Sequence, residues 1–280
     1  MKENFTCTVC GHRAFTTSFD DGTFRVHQCS ACRYGVVDPV PSLAELDALY
    51  NSPLYFASHM DYDYATITPE AIEKKVAQSD RLHYANLAPY VQPGQSLLEI
   101  GPGGGFALKA LQKRGLRVTG LETSAASCRF AAEKLAVPMI NRGIEEADTG
   151  GPYDVVMLNH VLEHFTDLPG SMDTLHCLCA PGGLLYVRVP DHDSYDRRAY
   201  GARWPAYLPF HISYFSEPSL RRLLGDHGFA VLEVKKYVSE RFLQGAPGPL
   251  QKLGRRLVAG LRLTESFSGR TITVIARKTT

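Results

Sequence analysis

The stretch Gln95–Gln112 reads QSLLEIGPGGGFALKALQ, and the fold turns on it. Ser96–Ile100 is a short apolar run of strand type. Glycine then takes over at Gly101, Gly103, Gly104 and Gly105, and Phe106, Leu108 and Leu111 carry on in a helical pattern. Strand, glycine turn, helix is the opening of a nucleotide-binding α/β sheet. The dinucleotide fingerprint G-x-G-x-x-G does not fit, because Phe106 stands at its third glycine. No Gly-Lys-Ser/Thr follows, which excludes a phosphate-cradling P-loop. Glu99 sits two residues before Gly101, and a carboxylate there suits a ligand with a cationic or amine-bearing group.

Downstream, the alternation continues. Leu116–Leu121 reads as a second strand ending at Glu122, 17 residues past Gly105. An acid at this offset hydrogen-bonds ribose hydroxyls in nucleotide-binding folds. A helix Ala125–Leu135, a short strand Val137–Asn141 and a fourth strand Tyr153–Leu158 follow. Then come a helix Pro169–Cys179, the turn Ala180-Pro181-Gly182-Gly183 and a fifth strand Leu184–Val189. Residues 191–214 are read as a loop rich in aromatic residues. A helix from Ser216 through Asp226 and strands Ala230–Tyr237 and Thr271–Arg277 close the chain. The pattern predicts an α/β fold, a doubly wound, mostly parallel seven-stranded sheet with an antiparallel edge.

Strand one with its glycine turn resembles motif I of the class I S-adenosylmethionine-dependent methyltransferases, and YDVVMLNHVLEHF resembles the fourth-strand region of their small-molecule members. The resemblance takes in nearly the whole chain, including the segment Phe-His-Ile-Ser-Tyr-Phe-Ser at 210–216. It implies that Gly101, Gly103 and Gly105 line the amino-acid part of S-adenosylmethionine, with Glu99 supporting the turn. It also implies that Glu122 holds the ribose, that Ile144 packs the adenine in Gly143-Ile144-Glu145, and that Asn159 belongs to the cofactor site. The Asn/Asp-Pro-Pro-Tyr/Phe of enzymes methylating base or glutamine nitrogens is missing. The Glu-x-x-Glu-His run of ubiquinone-pathway O-methyltransferases is matched only in part, since His160 replaces its first acid, and a second metal is not expected. The implied reaction is methyl transfer to a small-molecule, biosynthetic acceptor, most simply at oxygen. Two other classes stay open: an RNA methyltransferase that grips RNA with its N-terminus, and a non-enzymatic binding module on a methyltransferase scaffold.

The first forty residues carry a separate signal. Cys7-x-x-Cys10 and Cys29-x-x-Cys32 are separated by 18 residues, the spacing of a four-thiolate zinc ribbon. Gly11 follows the first pair and Gly35 lies soon after the second, consistent with two tight turns. Phe15–Phe19 and Phe24–Gln28 read as a hairpin across Asp20-Asp21-Gly22. Four sulfurs leave no water position, so the zinc would be structural. Lys2, Arg13, Arg25 and Arg33 are balanced by Glu3, Asp20, Asp21 and Asp38, which argues against a nucleic-acid grip.

Residues 41–94 read as a helical and aromatic connector or lid: a helix capped by Ser42-x-x-Glu45 through Tyr50, the aromatics Tyr55, Phe56, Tyr62 and Tyr64, and a helix Pro69–Tyr90. The methyltransferase domain then spans 95–280, with an insertion at 241–268. There Gln251–Leu263 forms an amphipathic basic helix, open to a membrane surface, an acidic substrate, a homodimer partner or plain solvation. The chain of 280 residues has a formal net charge of +1, no apolar run of about 18 residues and no signal-peptide core near its N-terminus. A soluble, cytoplasmic protein is expected. Methylation of a hydroxyl needs a base, and His160 after strand four and His211 in the aromatic loop are the candidates.

Overall fold

In the computed structural model, residues 6–50, 63–144, 149–237 and 270–279 are described. The expectations for Tyr55, Phe56, Tyr62, Glu145 and the 241–268 insertion lie outside them. The chain divides into two compact units. One comprises residues 1–41, 160–170 and 186–279, and the other 42–159 and 171–185 with residue 280.

The N-terminal hairpin forms from β1 (Phe15–Asp20) and β2 (Arg25–Cys29), and β3 (Gly35–Asp38) pairs antiparallel to β2. Asp21 makes the turn: its carboxylate accepts the Thr23 and Phe24 N–H groups at 2.8 and 3.1 Å. Helix α1 (Leu43–Tyr50) starts as expected from Ser42, whose N–H and hydroxyl both donate to Glu45 at 2.8 and 2.7 Å. Helix α2 (Pro69–Ser79) is capped by Thr68, whose hydroxyl accepts the Ala71 N–H at 3.2 Å. The single helix expected over Pro69–Tyr90 is not continuous: Asp80–Tyr84 forms a π turn, followed by a short α turn Ala85–Leu87. The wider turn accompanies a bidentate Arg114–Asp80 pair at 2.7–2.8 Å and Arg114 stacked over Tyr84 at 4.6 Å.

Next come β4 (Ser96–Ile100), α3 (Phe106–Lys113), β5 (Arg117–Leu121), α4 (Ala125–Leu135), β6 (Met139–Ile140) and β7 (Tyr153–Asn159). The third strand is shorter than the Val137–Asn141 read from sequence, and the fourth is one residue longer. After a 3₁₀ turn, Leu162–His164, come α5 (Leu168–Leu178) and β8 (Cys179–Pro190). Here the Pro-Gly-Gly turn expected ahead of strand five is absorbed into the strand. The loop at 191–214 holds α6 (Tyr195–Tyr200) and β9 (Ser213–Tyr214). Helix α7 (Glu217–Asp226), with a Ser216–Ser219 capping box, and the antiparallel pair β10 (Phe229–Tyr237) and β11 (Thr271–Lys278) complete the chain.

The main sheet has the order β10-β11-β8-β7-β4-β5-β6. Strands β4, β5, β6 and β7 pair in parallel and β10–β11 antiparallel at one edge, so the expected architecture is found. Leu97, Leu98, Val155, Val156, Met157 and Leu158 are fully buried, as central parallel strands require. Among the described residues no helix is long and apolar enough to cross a membrane.

The second sheet was not foreseen in full. Strand β9 adds to β3, giving the order β1-β2-β3-β9, with Gly35 opposite Tyr214 and Val36 opposite Ser213. Gly35 is needed for this pairing, not for the cysteine turn: a Cβ there would lie 2.9 Å from Tyr214 Cβ and 3.2 Å from the His192 ring. The residue that turns the chain after the second cysteine pair is Arg33, at φ +64°, the counterpart of Gly11 at +74°.

Candidate active site and metal centre

The glycine turn in the 42–159 unit is shaped by backbone and carboxylates. Gly101, Gly103 and Gly105 all adopt left-handed φ angles, +63°, +53° and +75°, which side chains rarely tolerate. The Gly101 N–H donates to the Leu121 carbonyl at 2.8 Å, tying the turn to the end of β5. A Cβ at Gly105 would meet Ala131 Cβ at 3.1 Å, so glycine there also lets α3 start close against α4.

Glu122 reaches back from the end of β5. Its Oε2 accepts the Gly103 N–H at 3.0 Å, and its Oε1 accepts the Ser124 N–H at 2.8 Å. The carboxylate is therefore oriented before any ligand arrives, with lone pairs left to accept further hydrogen bonds. Glu99 lies deeper, 2% exposed, and its Oε2 has no hydrogen-bond partner. Burial, with a smaller contribution from the Glu122 charge, pushes its carboxyl up to about 8. A buried carboxyl with an unpartnered oxygen, beside a glycine turn, fits a ligand bringing an ammonium or sulfonium charge. These residues fit S-adenosylmethionine. Ile144 is 7% exposed and Asn159 closes β7, half-buried. Sequence reading missed Tyr64 as an anchor: its hydroxyl is 2.8 Å from Ser127 Oγ and its ring packs on Phe130 at 4.6 Å.

The other unit gathers the histidines. His160 follows the last residue of β7 and has φ +58°. Its N–H donates to the Arg188 carbonyl at 2.7 Å. Its ring lies between Glu163 Oε1, 3.2 Å from Nδ1, and Arg188 Nη1, 2.7 Å from Nε2. A guanidinium only donates, so Nε2 accepts and Nδ1–H donates to Glu163. Arg188 carried no sequence signal, being one basic residue in an apolar strand.

His211 is buried in the 191–214 loop, and its Nδ1–H donates to the Ala206 carbonyl at 2.9 Å. Burial, then the nearby His164, pushes its imidazole down to about 3, so it is neutral at physiological pH. His164 Nδ1–H donates to the Phe210 carbonyl at 3.1 Å. One donor atom from each of Glu163, His164 and His211 lies within 4.8 Å of the other two. Burial pushes the Glu163 carboxyl upward. The hydrogen bond that His160 donates, with the electrostatic interactions of the His160, His164 and His211 rings, outweighs it and holds it at about 2.

The four cysteines converge as their spacing demanded. Cys7 and Cys32 sulfurs are 3.5 Å apart, Cys10 and Cys29 sulfurs 3.7 Å, and all four lie within 4.8 Å of one another. Zn–S bonds of about 2.3 Å place tetrahedral sulfurs about 3.8 Å apart, whereas a disulfide needs about 2.05 Å. Burial pushes the Cys7 thiol up to about 11 and Cys32 up further, while hydrogen bonds hold Cys10 below its usual value. The donor set fits a zinc ion, whose charge would ionise them. The Arg33 turn behind Cys32 is fixed by an Arg33–Asp193 ion pair at 2.6 Å.

Comparison with known proteins agrees with this geometry. A ubiquinone biosynthesis O-methyltransferase of Methylobacterium nodulans is 37% identical over 98 residues, 33% of this chain and 39% of that protein. The chain spans well under two thirds of the length of the curated relatives it matches. A 1,6-didemethyltoxoflavin-N1-methyltransferase from Burkholderia thailandensis, solved with S-adenosylhomocysteine, superposes with a TM-score of 0.56 at 18% identity. That match covers 94% of this chain and 99% of the other. Magnesium protoporphyrin IX methyltransferase from Synechocystis, solved with S-adenosylmethionine, gives 0.53 at 16% identity over 83% and 94%. These likenesses show the fold. The sequence pattern of the methyltransferase domain matches residues 56–234, more than half of the chain, which therefore belongs to the methyltransferase-domain family.

Proposed function

We propose that the protein transfers the methyl group of S-adenosylmethionine to a hydroxyl of a small-molecule biosynthetic acceptor. The observation that carries this is the buried Glu99 carboxyl, with an unpartnered oxygen, beside a glycine turn held by Glu122. The O-methyltransferase names of the sequence relatives support oxygen as the atom methylated. When bound, the cofactor supplies an activated methyl on a sulfonium sulfur. Glu99 and the turn of Gly101, Gly103 and Gly105 hold its amino-acid end, and Glu122 takes the ribose hydroxyls. Ile144 packs the adenine, and Asn159 completes the cofactor contacts. Positioning supplies most of the rate in such a transfer.

His160 is the better of the two histidine candidates for the base. Its side chain is 39% exposed, and its Nδ1–H faces an ionised Glu163 that would stabilise the imidazolium. His211, buried and pushed down to about 3, accepts a proton poorly. The Cys7, Cys10, Cys29 and Cys32 cluster holds a structural zinc. We assign the acceptor to small molecules and not nucleic acid, and the protein to the cytoplasm. The test is S-adenosylhomocysteine release with a panel of hydroxylated aromatic and aliphatic acids against bulk RNA. Product with a small molecule supports the reading, and product with RNA alone overturns it.

A further inference from the structure

His160 is held unusually firmly for a residue that has to accept a proton. A non-glycine residue at φ +58° is strained, and such strain persists only where surroundings impose it. Here Arg188 imposes it twice. Its carbonyl takes the His160 N–H at 2.7 Å, and its guanidinium donates to His160 Nε2, also at 2.7 Å. Glu163, 1% exposed, takes the opposite ring proton. The nitrogen lone pair that a base would use is the one Arg188 occupies.

A neutral imidazole offers a guanidinium one hydrogen bond. A carboxylate or phosphate offers two in a planar fork, and adds the attraction of an opposite charge. We infer that Arg188 is a specificity residue: it binds an oxyanion carried by the acceptor, and in turning to that anion it releases Nε2 of His160. The acceptor hydroxyl then gives its proton to Nε2, and the imidazolium is compensated by Glu163 at Nδ1. The acceptor class is a hydroxylated molecule bearing a carboxylate or phosphate. An uncharged alcohol would leave the Arg188–His160 bond in place. This inference rests on the reading of His160 as the base.

The test uses the full chain labelled with ring-¹⁵N histidine, with the His160 signals assigned by comparison with His160→Gln. Benzoate, inorganic phosphate and benzyl alcohol are titrated separately. Benzoate or phosphate should move the His160 Nε2 resonance saturably, and whichever does so identifies the kind of oxyanion. Benzyl alcohol should not move it. Arg188→Gln should weaken the anion response at least about tenfold, as loss of a charged hydrogen bond implies. Arg188→Lys, which keeps the charge but not the fork, should fall between. Thermal melts confirm that each variant folds, and if Arg188→Gln does not fold, Arg188→Lys carries the comparison. No saturable shift with either anion, or an equal shift in the Arg188 variant, overturns the inference. If His160→Gln still turns over acceptor while anions bind through Arg188 by calorimetry, the base reading fails and the anion site stands.

Discussion

The glycine turn and the ribbon with its aromatic loop solve opposite problems. The turn, Gly101–Gly105 with Glu99 and Glu122, is assembled from residues within about two dozen positions of one another, and its unmet need is electrostatic: a buried carboxyl with an open oxygen. The ribbon is joined to residues 191–216 across 160 or more positions of sequence. Tyr34 bonds Ser213 at 2.6 Å, Arg33 pairs with Asp193, and Phe19 stacks on Tyr207 at 4.2 Å. His192 lies buried among Ser18, Gln28 and Tyr207. Its unmet need is a cation for four converging thiols. One region is shaped for a ligand that comes and goes, and the other converges four thiols into a donor set that fits an ion.

The largest effect should come from the metal. Zinc supplies about 10–16 kcal/mol of apparent binding free energy in small zinc modules, far more than forty residues of core can replace. Trp204, the only tryptophan, is 1% exposed in the loop and packs edge-on against Tyr207 at 5.0 Å. Stripping the metal, or Cys29→Ser, should therefore shift Trp204 emission to the red as the loop loses its support. Emission unchanged after verified loss of zinc would separate ribbon from loop. Metal analysis finding no zinc in protein purified without chelator would remove the ion from the account altogether.

Next in size is the base. His160→Gln should cut turnover about 10²–10⁴-fold while leaving cofactor affinity near that of the wild type. His211→Gln should chiefly lower stability, because its Nδ1–H bond to Ala206 is internal to the loop. The reverse pattern would exchange their roles.

A third, smaller contrast lies in pH. The Glu99 carboxyl titrates at about 8 in the folded protein and at about 4.3 when unfolded, so between those values the folded state holds a proton that the unfolded state does not. Its stabilising contribution is complete below about pH 4.3 and is lost as pH rises through 8. His211, pushed down to about 3 from an ordinary value of about 6.5, acts oppositely: its contribution is present above about 6.5 and lost as pH falls toward 3. Melting of the cofactor-free protein between about pH 6 and 9 should thus show a downward slope that Glu99→Gln lacks. Equal slopes would mean that Glu99 finds a partner before the ligand binds.

These two regions also mark what could be read in advance. The glycine turn, Glu122 and the cysteine pairs were legible because each depends on short spacing, and the doubly wound sheet with its antiparallel edge followed from alternating apolar runs. The pairing of β3 with β9 was not legible. It depends on Gly35 meeting Tyr214, and nothing local distinguishes that glycine from one in a cysteine turn. Arg33 took the left-handed position that a glycine was expected to supply, stabilised by Asp193 far along the chain. The π turn at Asp80–Tyr84 is met by Arg114 from 30 or more positions away, and Arg188 acquires meaning only beside His160.

The most direct test of the central claim is calorimetric titration of S-adenosylmethionine into the wild-type protein and into Glu122→Ala. The substitution removes the carboxylate that orients Gly103 and would accept the ribose hydroxyls. Charge-assisted hydrogen bonds of this kind are worth about 1.5–3 kcal/mol, roughly ten- to hundredfold in affinity. The wild type should bind at one site per chain, and a folded variant should lose affinity by that amount. No binding to the wild type, or equal binding to both proteins, would contradict that claim.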